Sequence, residues 1–563
     1  MIAAALVAGV FVLYVVTYAS IPTGDGYWFL NNIAQALVER PPATLDADLL
    51  INPPSALTQY FFFIVKRLTD AAGLSIATLT IIQTVNAAVA GAGAALMCSI
   101  VRDLGGGRRL GVLSGALLAV SFGYWQFANG ERQLLSLVVL LLIFKLIVRV
   151  RMRGEWSPWF VASVGFLNAL AVLLRQENVL FGFAAVALLG LGRSWRSALR
   201  DAVIYGAIGS LGTSMGVFLL AESRHAASAA DVLRWYVWAV REHVGTAQDF
   251  QAFEHATAFD VPRVVKGQLT AFIVGTQAVV DILRNRSLLA RPTAATLATL
   301  TLAAYVLMAV LAAGLSRLRR VAEPHLMVVT IACSVWLLVY KVVVHGWLWP
   351  SHTRYQVDTV PPLVLLLILG AIAPQKSGGA ARPLWRTGCV AGLVVLVFLV
   401  DLWGGILPFR RYGDMWTSLE ARHAAEFRPD DLFVSCESGI DTIFARLYRG
   451  GDARHVSVKN EFVKSPAPEA FATIRAAIVR QLDGGGRVFV YNFVPAPYSF
   501  IAINQSPVRG GTPLSARDFE AFLDELRKAY AMRPLFDYWE ESKAPLYLFG
   551  ERREPFFELS RRS

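Results

Sequence analysis

The sequence predicts a polytopic α-helical membrane protein that ends in a separate α/β domain. Of its 563 residues, 55% are hydrophobic and only 17% are charged, and long apolar stretches recur as far as about residue 406. Soluble domains carry about 25% charged residues, and a helix needs about 20 apolar residues to cross a bilayer. The predicted division is a membrane domain over 1–406 and a second domain over 407–563.

Eleven stretches come close to or exceed the length and hydropathy of a membrane span. They are 2–21, 76–101, 110–128, 132–149, 157–174, 178–192, 201–221, 295–315, 324–345, 358–373 and 387–406. The first stretch lacks the basic start of a signal peptide and is long for a signal-peptide core. We therefore expect it to remain as the first transmembrane helix.

Basic residues in the short loops predict the orientation of these spans. They form five clusters: Arg102, Arg108 and Arg109; Arg149, Arg151 and Arg153; Arg193, Arg196 and Arg200; Arg317, Arg319 and Arg320; Lys376, Arg382 and Arg386. With a cytoplasmic N-terminus and eleven spans, all five clusters lie in the cytoplasm. The loop 22–55 and the domain 407–563 are then external, as expected for a multi-pass protein of the cell (inner) membrane.

The stretch 268–283 is less apolar, and counting it as a twelfth span would put the Arg317–Arg320 cluster outside. The segment 222–294 is therefore predicted to be one large external loop with an amphipathic or re-entrant piece.

The C-terminal domain shows short apolar strands that alternate with helical stretches. Strands are predicted at 432–436, 455–459, 487–491 and 546–549, and helices at 440–449, 467–482 and 515–531. Alternation of this kind favours parallel strand pairing. Charge is nearly balanced over 407–563, so the net charge of +12 belongs to the membrane domain. Basic loops there indicate topology and contact with membrane lipids, and exclude a nucleic-acid-binding role.

The first predicted external loop carries an acidic residue, Asp25, flanked by Gly24 and Gly26. The run that follows has Phe29, Ile33 and Leu37 at helical spacing, which predicts a helix lying in the membrane interface. A carboxylate beside such a helix suits chemistry on a lipid-linked head group. A lone aspartate at the start of a solvated loop is the alternative reading.

Further polar clusters map to the same predicted face as Asp25. They are 46–54, which includes Asp46 and Asp48; 124–132, which includes Glu131; 175–178, which includes Arg175 and Glu177; Lys341 and His345; and 352–356, which includes His352, Arg354 and Tyr355. Charged residues near a bilayer are costly and tend to face a cavity or to pair. Each cluster alone is explained by an interfacial ion pair or an aromatic anchor. Because all of these clusters are predicted on the same face of the membrane, they favour one common polar site.

These residues resemble the GT-C glycosyltransferases, in particular the protein O-mannosyltransferase-like and the lipid A or cell-wall branches. The resemblance covers about 1–373 and rests on the acidic first loop, on 52–54, on 125–131, on 174–177 and on Arg354-Tyr355 before a Pro361-Pro362 span. Many relatives have a second acid directly beside the first, where this chain has Gly26. The partner of Asp25 is therefore open among Asp46, Asp48 and Glu131.

The resemblance implies an inverting transfer of a sugar from a polyprenyl-phosphate-linked donor to a glycan, lipid or protein acceptor on the outer face. Asp25 is the expected general base, and Glu131 is expected to orient acceptor or sugar. The expected donor-binding residues are Asp46, Asp48, Arg175, Glu177, Lys341, His352, Arg354 and Tyr355. No cofactor is required, although the external carboxylates leave room for a divalent cation.

Two other classes of function use the same features. A transporter or flippase of lipid-linked sugars should carry charges deep in its spans and show repeat symmetry, whereas mid-span charges are few and no internal repeat is visible. A non-catalytic membrane scaffold would tolerate changes at Asp25, Arg175 and Arg354.

Overall fold

A computed structural model describes the chain over 2–20, 56–131, 134–222, 228, 230, 232, 261–321, 324–345, 353–372, 384–411, 427–428, 430–435, 454–458, 467–491, 516–537 and 555–562. The described residues form two compact units, one containing most of the chain up to Leu407 and one beginning at Pro408.

The first unit is helical. Its α-helices are α1 (Ile2–Thr17), α2 (Ala56–Ala71), α3 (Thr78–Asp103), α4 (Gly107–Val120), α5 (Phe122–Ala128), α6 (Leu134–Arg153), α7 (Pro158–Leu174), α8 (Phe181–Gly190), α9 (Trp195–Glu222), α10 (Val261–Phe272), α11 (Thr276–Arg284), α12 (Pro292–Val321), α13 (Pro324–Tyr340), α14 (Val360–Ile372) and α15 (Leu384–Asp401). Short 3₁₀ turns cover Gln176–Leu180, Arg286–Ala290 and Thr353–Thr359, and π-helical turns cover Lys341–His345 and Leu402–Ile406.

The polytopic helical membrane fold is confirmed, and a helix lies in each of the eleven predicted stretches. Five helical segments of the described chain are long and apolar enough to cross a membrane: Thr78–Asp103, Trp195–Leu220, Pro292–Ser316, Pro324–Val343 and Leu384–Arg411. The bent pair α4–α5 is a sixth if it is one span, and shorter apolar helices include Ala3–Thr17 and Pro158–Leu174. The count of eleven transmembrane helices stays a prediction.

The predicted loop 222–294 contains two short helices, α10 and α11, with a tight turn between them. Residues 271–274 in and beside this turn are almost completely buried. Polar backbone at membrane depth is tolerated only where protein or water satisfies it, and a buried turn between two short helices has this property. Their position relative to the bilayer stays a prediction.

Helices α12 and α14 pack so closely that only glycine fits where they cross. A Cβ atom added at Gly370 would lie 1.9 Å from the carbonyl oxygen of Leu311. One added at Gly314 would lie 2.2 Å from the carbonyl oxygen of Gly370. Small residues at such crossings allow van der Waals contact between backbones, which stabilises helix pairs in lipid.

Changing Gly370 to Ala is therefore expected to lower the free energy of unfolding by about 1–3 kcal/mol, because the backbones must separate. Thermal unfolding in detergent measures this as a lower Tm. The matched control is Gly388→Ala in α15, where no atom lies within 4 Å of the added Cβ. The control should be neutral or raise stability by up to about 1 kcal/mol through helix propensity. Equal Tm values for the two variants would contradict the close packing.

The second unit contains a five-stranded sheet with the order β2-β1-β3-β5-β4. Its strands are β1 (Leu432–Ser435), β2 (Arg454–Ser457), β3 (Val488–Tyr491), β4 (Tyr530–Asp537) and β5 (Pro555–Arg561). Strand β1 pairs in parallel with β2 and β3, as the sequence predicted, whereas β5 is antiparallel to β3 and β4.

Two helices, α16 (Ala467–Asp483) and α17 (Ala516–Ala529), contribute to the core of this unit. Ile474 and Ile478 of α16 and Phe522 of α17 are buried in one cluster with Val434 and Val490 of the sheet. The predicted helix 515–531 ends two residues early because strand β4 begins at Tyr530, and neither β4 nor β5 was predicted. The predicted strand 546–549 and helix 440–449 lie outside the described residues.

Candidate functional site

At one end of the helical unit, buried polar side chains tie helix ends together. The hydroxyl of Tyr18 donates to the carbonyl oxygen of Gln83 at 2.6 Å. The indole N–H of Trp125 donates to Oγ1 of Thr17 at 3.0 Å, and Nε2 of Gln83 donates to Oδ1 of Asn129 at 3.2 Å. The end of α1, which leads toward Asp25 along the chain, is thus joined to the start of α3 and to the predicted polar turn 124–132.

Glu131 lies in this joined region and is only 1% exposed. Its carbonyl oxygen accepts a 2.8 Å hydrogen bond from Nδ2 of Asn86, a buried residue of α3. Its backbone N–H donates to the carbonyl oxygen of Phe127 at 3.1 Å. The backbone that carries the Glu131 carboxylate is therefore held on both sides, and its burial is unlike that of an exposed interfacial ion pair.

A second group of charged side chains forms where α7 ends. Arg175 is 4% exposed, and its Nη1 donates to Oδ2 of Asp358, which is fully buried. Its Nε lies 3.3 Å from Oε2 of Glu177, whose side chain is one-third exposed. Arg175 therefore lies between two carboxylates, of which the sequence indicated only Glu177. The pairing with Asp358 orients the planar guanidinium group.

The start of helix α2 is hydrogen-bonded to the end of α7, next to Arg175. Oγ1 of Thr58 donates to the carbonyl oxygen of Leu174 at 2.9 Å, one residue before Arg175. Helix α2 follows directly after the segment that contains the predicted site residues Asp46 and Asp48. The first turn of α2, which comes after that segment, therefore lies close to Arg175.

Lys341 adds a second cation to the Arg175 group. It is 7% exposed, and its ammonium has no hydrogen-bond partner among the residues that the structure describes. The carboxylate of Asp358 is near enough to act on it electrostatically. The preceding residue, Tyr340, donates its hydroxyl to Oδ1 of Asn178 at 3.1 Å and so fixes the end of α13 beside the 3₁₀ turn after α7.

The 3₁₀ turn Thr353–Thr359 carries Asp358 and lies between the two polar groups. It packs against α5, α10 and α13. Oγ1 of Thr359 donates to Oε1 of Gln268 in α10. Within the described part of the chain, neither the amide group of Gln356 nor Oδ1 of Asp358 has a hydrogen-bond partner, although both residues are fully buried.

A buried polar atom without a partner costs about 1–3 kcal/mol. The ammonium of Lys341, the amide of Gln356 and one oxygen of Asp358 are such atoms. Gln356 and Asp358 lie on one turn, and Asp358 acts electrostatically on Lys341. Groups of this kind call for a polar ligand or bound water. The structure therefore identifies this group, together with Arg175, as the candidate functional site.

Of the predicted site residues, the structure brings Arg175, Glu177 and Lys341 together. Glu131 follows helix α5, and α5 packs against the 353–359 turn that carries Asp358. Asp25, Asp46, Asp48 and His352 lie outside the described residues, as do the side chains of Arg354 and Tyr355. Asp358 was not predicted as a site residue, because its only signal in the sequence was an acid at the start of the apolar stretch 358–373.

Among the described residues, no three His, Cys, Asp or Glu side chains are grouped closely enough to hold a metal ion. Three of the acids that would be relevant, Asp25, Asp46 and Asp48, are not among them. The use of a divalent cation stays a prediction.

Comparison with known proteins identifies the fold. No protein-family model and no curated protein sequence matches the chain. The structure of ArnT from Cupriavidus metallidurans bound to undecaprenyl phosphate matches with a TM-score of 0.50 and 10% identity, over 99% of this chain and 97% of that one. The apo state of ArnT gives the same values.

A crystal structure of the Archaeoglobus fulgidus oligosaccharyltransferase, tethered to an acceptor peptide, also aligns. It has a TM-score of 0.48 and 10% identity, over the whole of this chain and 74% of that one. At 10% identity, the likeness to ArnT concerns the fold alone. This likeness confirms the polytopic helical membrane fold that the sequence predicted.

Proposed function

We propose that the protein is a membrane glycosyltransferase that takes a sugar from a polyprenyl-phosphate-linked donor. The observation that carries this proposal is the buried group of Arg175, Lys341 and Asp358 at one end of a GT-C-type fold. The fold likeness to ArnT, a protein whose structure was determined with undecaprenyl phosphate, supports a lipid phosphate as the ligand.

Lys341 is the residue best suited to bind the donor phosphate. Its ammonium has three N–H donors and, in the described part of the chain, no hydrogen-bond partner. When the bond to the sugar breaks, negative charge grows on the phosphate, and a buried cation stabilises that charge more than one in water does. Arg175, held by two carboxylates, is proposed to present its guanidinium beside Lys341. His352, Arg354 and Tyr355 are proposed to complete the donor site.

Asp25 is the proposed general base. Its carboxylate takes the proton of the acceptor hydroxyl or amine as the acceptor atom bonds to the anomeric carbon. The bond from that carbon to the phosphate oxygen breaks on the opposite face, so the configuration inverts and polyprenyl phosphate leaves with the bonding electrons. Glu131, Asp46 and Asp48 remain the candidates for a second carboxylate. We place the reaction on the outer face of the cell (inner) membrane, with glycan, lipid or protein as acceptor.

Changing Lys341 to Gln is expected to raise the donor KM by about tenfold to a hundredfold, since a hydrogen bond to a charged group contributes about 1.5–3 kcal/mol. Initial rates with radiolabelled donor in nanodiscs measure this. The matched control is Lys66→Gln on α2, which removes a lysine paired with the exposed Asp70. Surface pairs contribute about 1 kcal/mol or less, so the control should behave as wild type. An unchanged KM in both variants would remove Lys341 from the donor site.

The transporter alternative predicts a different result in proteoliposomes. Labelled donor enclosed on one side would reach the other side with its sugar–phosphate bond intact. A transferase breaks that bond and moves the label to an acceptor. Donor that crosses the bilayer without cleavage would overturn the proposed function.

A further inference from the structure

A helix start and an inter-helix turn meet at one buried carboxylate, Asp401. Helices α4 and α5 meet at a bend of 63°. At this bend the backbone N–H of Phe122, the first residue of α5, donates to Oδ2 of Asp401 at 2.9 Å. The N–H of Val274, in the turn that leads into α11, donates to Oδ1 of the same side chain at 2.7 Å. Asp401 is fully buried.

These contacts satisfy one N–H group at the start of α5 and one in the turn between α10 and α11. The first N–H groups of a helix have no partner inside it, and their partial positive charge favours an acceptor that carries negative charge. A buried carboxylate is itself costly unless hydrogen bonds satisfy its oxygens. Here one oxygen of Asp401 accepts the N–H group of Phe122 at the start of α5, and the other accepts that of Val274 in the α10–α11 turn. One side chain thus joins segments that lie far apart in the sequence.

The backbone segments around Asp401 pack closely against one another. A Cβ atom added at Gly123 of α5 would lie 2.9 Å from the carbonyl oxygen of Ala271 in α10. One added at Gly405, in the π-helical turn that follows Asp401, would lie 2.5 Å from the ring of Phe122. The backbones of α5, α10 and the π-helical turn therefore cannot shift independently of one another.

Helix α5, which starts at Asp401, and helix α10, which ends just before the anchored turn, both pack against the 353–359 turn. That turn carries Asp358, which holds Arg175, and Thr359, which bonds to Gln268 of α10. The path from Asp401 to the candidate site thus runs through α5 and α10 to the turn and then to Arg175. No hydrogen bond joins Asp401 itself to the described site residues.

We propose that Asp401 is a positioning residue of the donor site. Its carboxylate holds the start of α5 and the α10–α11 turn together, and in this way it fixes the 353–359 turn that presents Asp358 to Arg175. It acts without contacting substrate. Its effect on sugar transfer rests on the proposed function, whereas its effect on the α5 start and the α10–α11 turn does not.

Amide hydrogen exchange on the full-length protein in nanodiscs tests the anchoring. Asp401→Asn keeps the shape of the side chain but turns an N–H₂ group toward one of the two N–H donors, so one hydrogen bond is lost. Exchange in 118–128, 268–278 and 353–359 is expected to rise about tenfold or more, since a charge-assisted hydrogen bond is lost. Exchange elsewhere should stay at wild-type rates.

The matched control is Asp201→Asn, a change at another buried acid of the helical unit. Asp201 is 1% exposed and pairs with Arg193 and Arg200. This control should lower Tm and leave exchange in the three segments unchanged. A rise in all segments for Asp401→Asn, or in none of the three, would overturn the proposal.

A second pair of variants tests the same link by changing Phe122, whose backbone N–H is one of the two hydrogen-bond donors to Asp401. Phe122→Pro removes one N–H donor and keeps Asp401, and proline suits the first helical position after the extended Ser121. Its control, Phe122→Leu, keeps the N–H group. Faster exchange in 353–359 for Phe122→Pro than for Phe122→Leu is expected, and equal exchange would contradict the proposal.

Kinetics then test the effect on the site. Asp401→Asn should lower kcat/KM for the donor by up to about a hundredfold, as expected for a small misplacement of binding groups. Asp201→Asn should leave it unchanged. If both variants transfer at the wild-type rate while exchange changes as expected, Asp401 anchors helices but positions nothing, and the proposal fails. If wild type itself transfers from no donor, the proposed function fails, and the exchange pattern alone decides whether Asp401 anchors the turn.

Discussion

Changing Asp358 to Ala is expected to lower the free energy of unfolding by about 3–5 kcal/mol, because it breaks a buried ion pair and leaves its partner charge behind. The partner, Arg175, is 4% exposed, and its remaining carboxylate in the described part of the chain is the one-third exposed Glu177. Lys341 also loses the nearest negative charge that acts on it. Thermal unfolding in detergent should show the loss as a markedly lower Tm.

The double variant Arg175→Met with Asp358→Leu separates stability from function. Replacing both partners of a buried pair by apolar residues of similar size is often neutral or stabilising. We therefore expect its Tm to return close to the wild-type value, while sugar transfer stays low because Arg175 is absent from the donor site. A double variant as unstable as Asp358→Ala would contradict the buried pair. A double variant with full transfer activity would exclude Arg175 from the site.

Changing Asp25 to Asn is expected to lower kcat by about 10²–10⁴-fold, the usual contribution of a general base. Asparagine has nearly the same shape as aspartate but cannot accept the proton of the acceptor. The donor KM should stay near the wild-type value, because Lys341 and Arg175 bind the phosphate. Initial rates over a range of donor concentrations measure both constants.

Asp46→Asn, Asp48→Asn and Glu131→Gln are the comparison set for Asp25→Asn. The second carboxylate of the site is expected to show the next largest fall in kcat among them. If Asp25→Asn is as active as wild type, the base is one of these three residues and the role proposed for Asp25 is wrong.

Hydropathy was sufficient to locate a helix in each of the eleven predicted stretches, whereas α2 and α10 of the first unit were not predicted. A segment in lipid must satisfy its own backbone hydrogen bonds, so a long apolar run has little choice but to be helical. This explains why helices such as α3 and α12 lie where the sequence predicts spans. Strand β3 and its parallel pairing with β1 could be predicted for a related reason, since strands that alternate with helices favour that arrangement.

The partners of buried charges could not be predicted in this way. Asp358 pairs with Arg175 across 183 positions, and Asp401 accepts from Val274 and Phe122 across 127 and 279 positions. An acid at the end of an apolar run has the same local pattern whether it faces water or caps another helix. The role of such an acid depends on tertiary packing, which cannot be read from the local sequence.

Strand β5 was missed for a similar reason. It begins with Pro555 and includes Glu558, residues that are infrequent in strands. The strand pairs antiparallel on both sides, with β3 and with β4, and Arg533 of β4 bonds to Glu558 across the pair. Cross-strand pairing of this kind compensates for the low local preference.

The measurement that most directly tests the account follows the donor lipid itself. Purified wild-type protein in nanodiscs would receive polyprenyl-phosphate donors that carry different radiolabelled sugars, together with envelope extracts as acceptors. We predict that one donor yields free polyprenyl phosphate and labelled acceptor in equal amounts, and that Lys341→Gln slows both at limiting donor. Tight donor binding without release of polyprenyl phosphate, for every donor and acceptor tested, would contradict the proposed transferase.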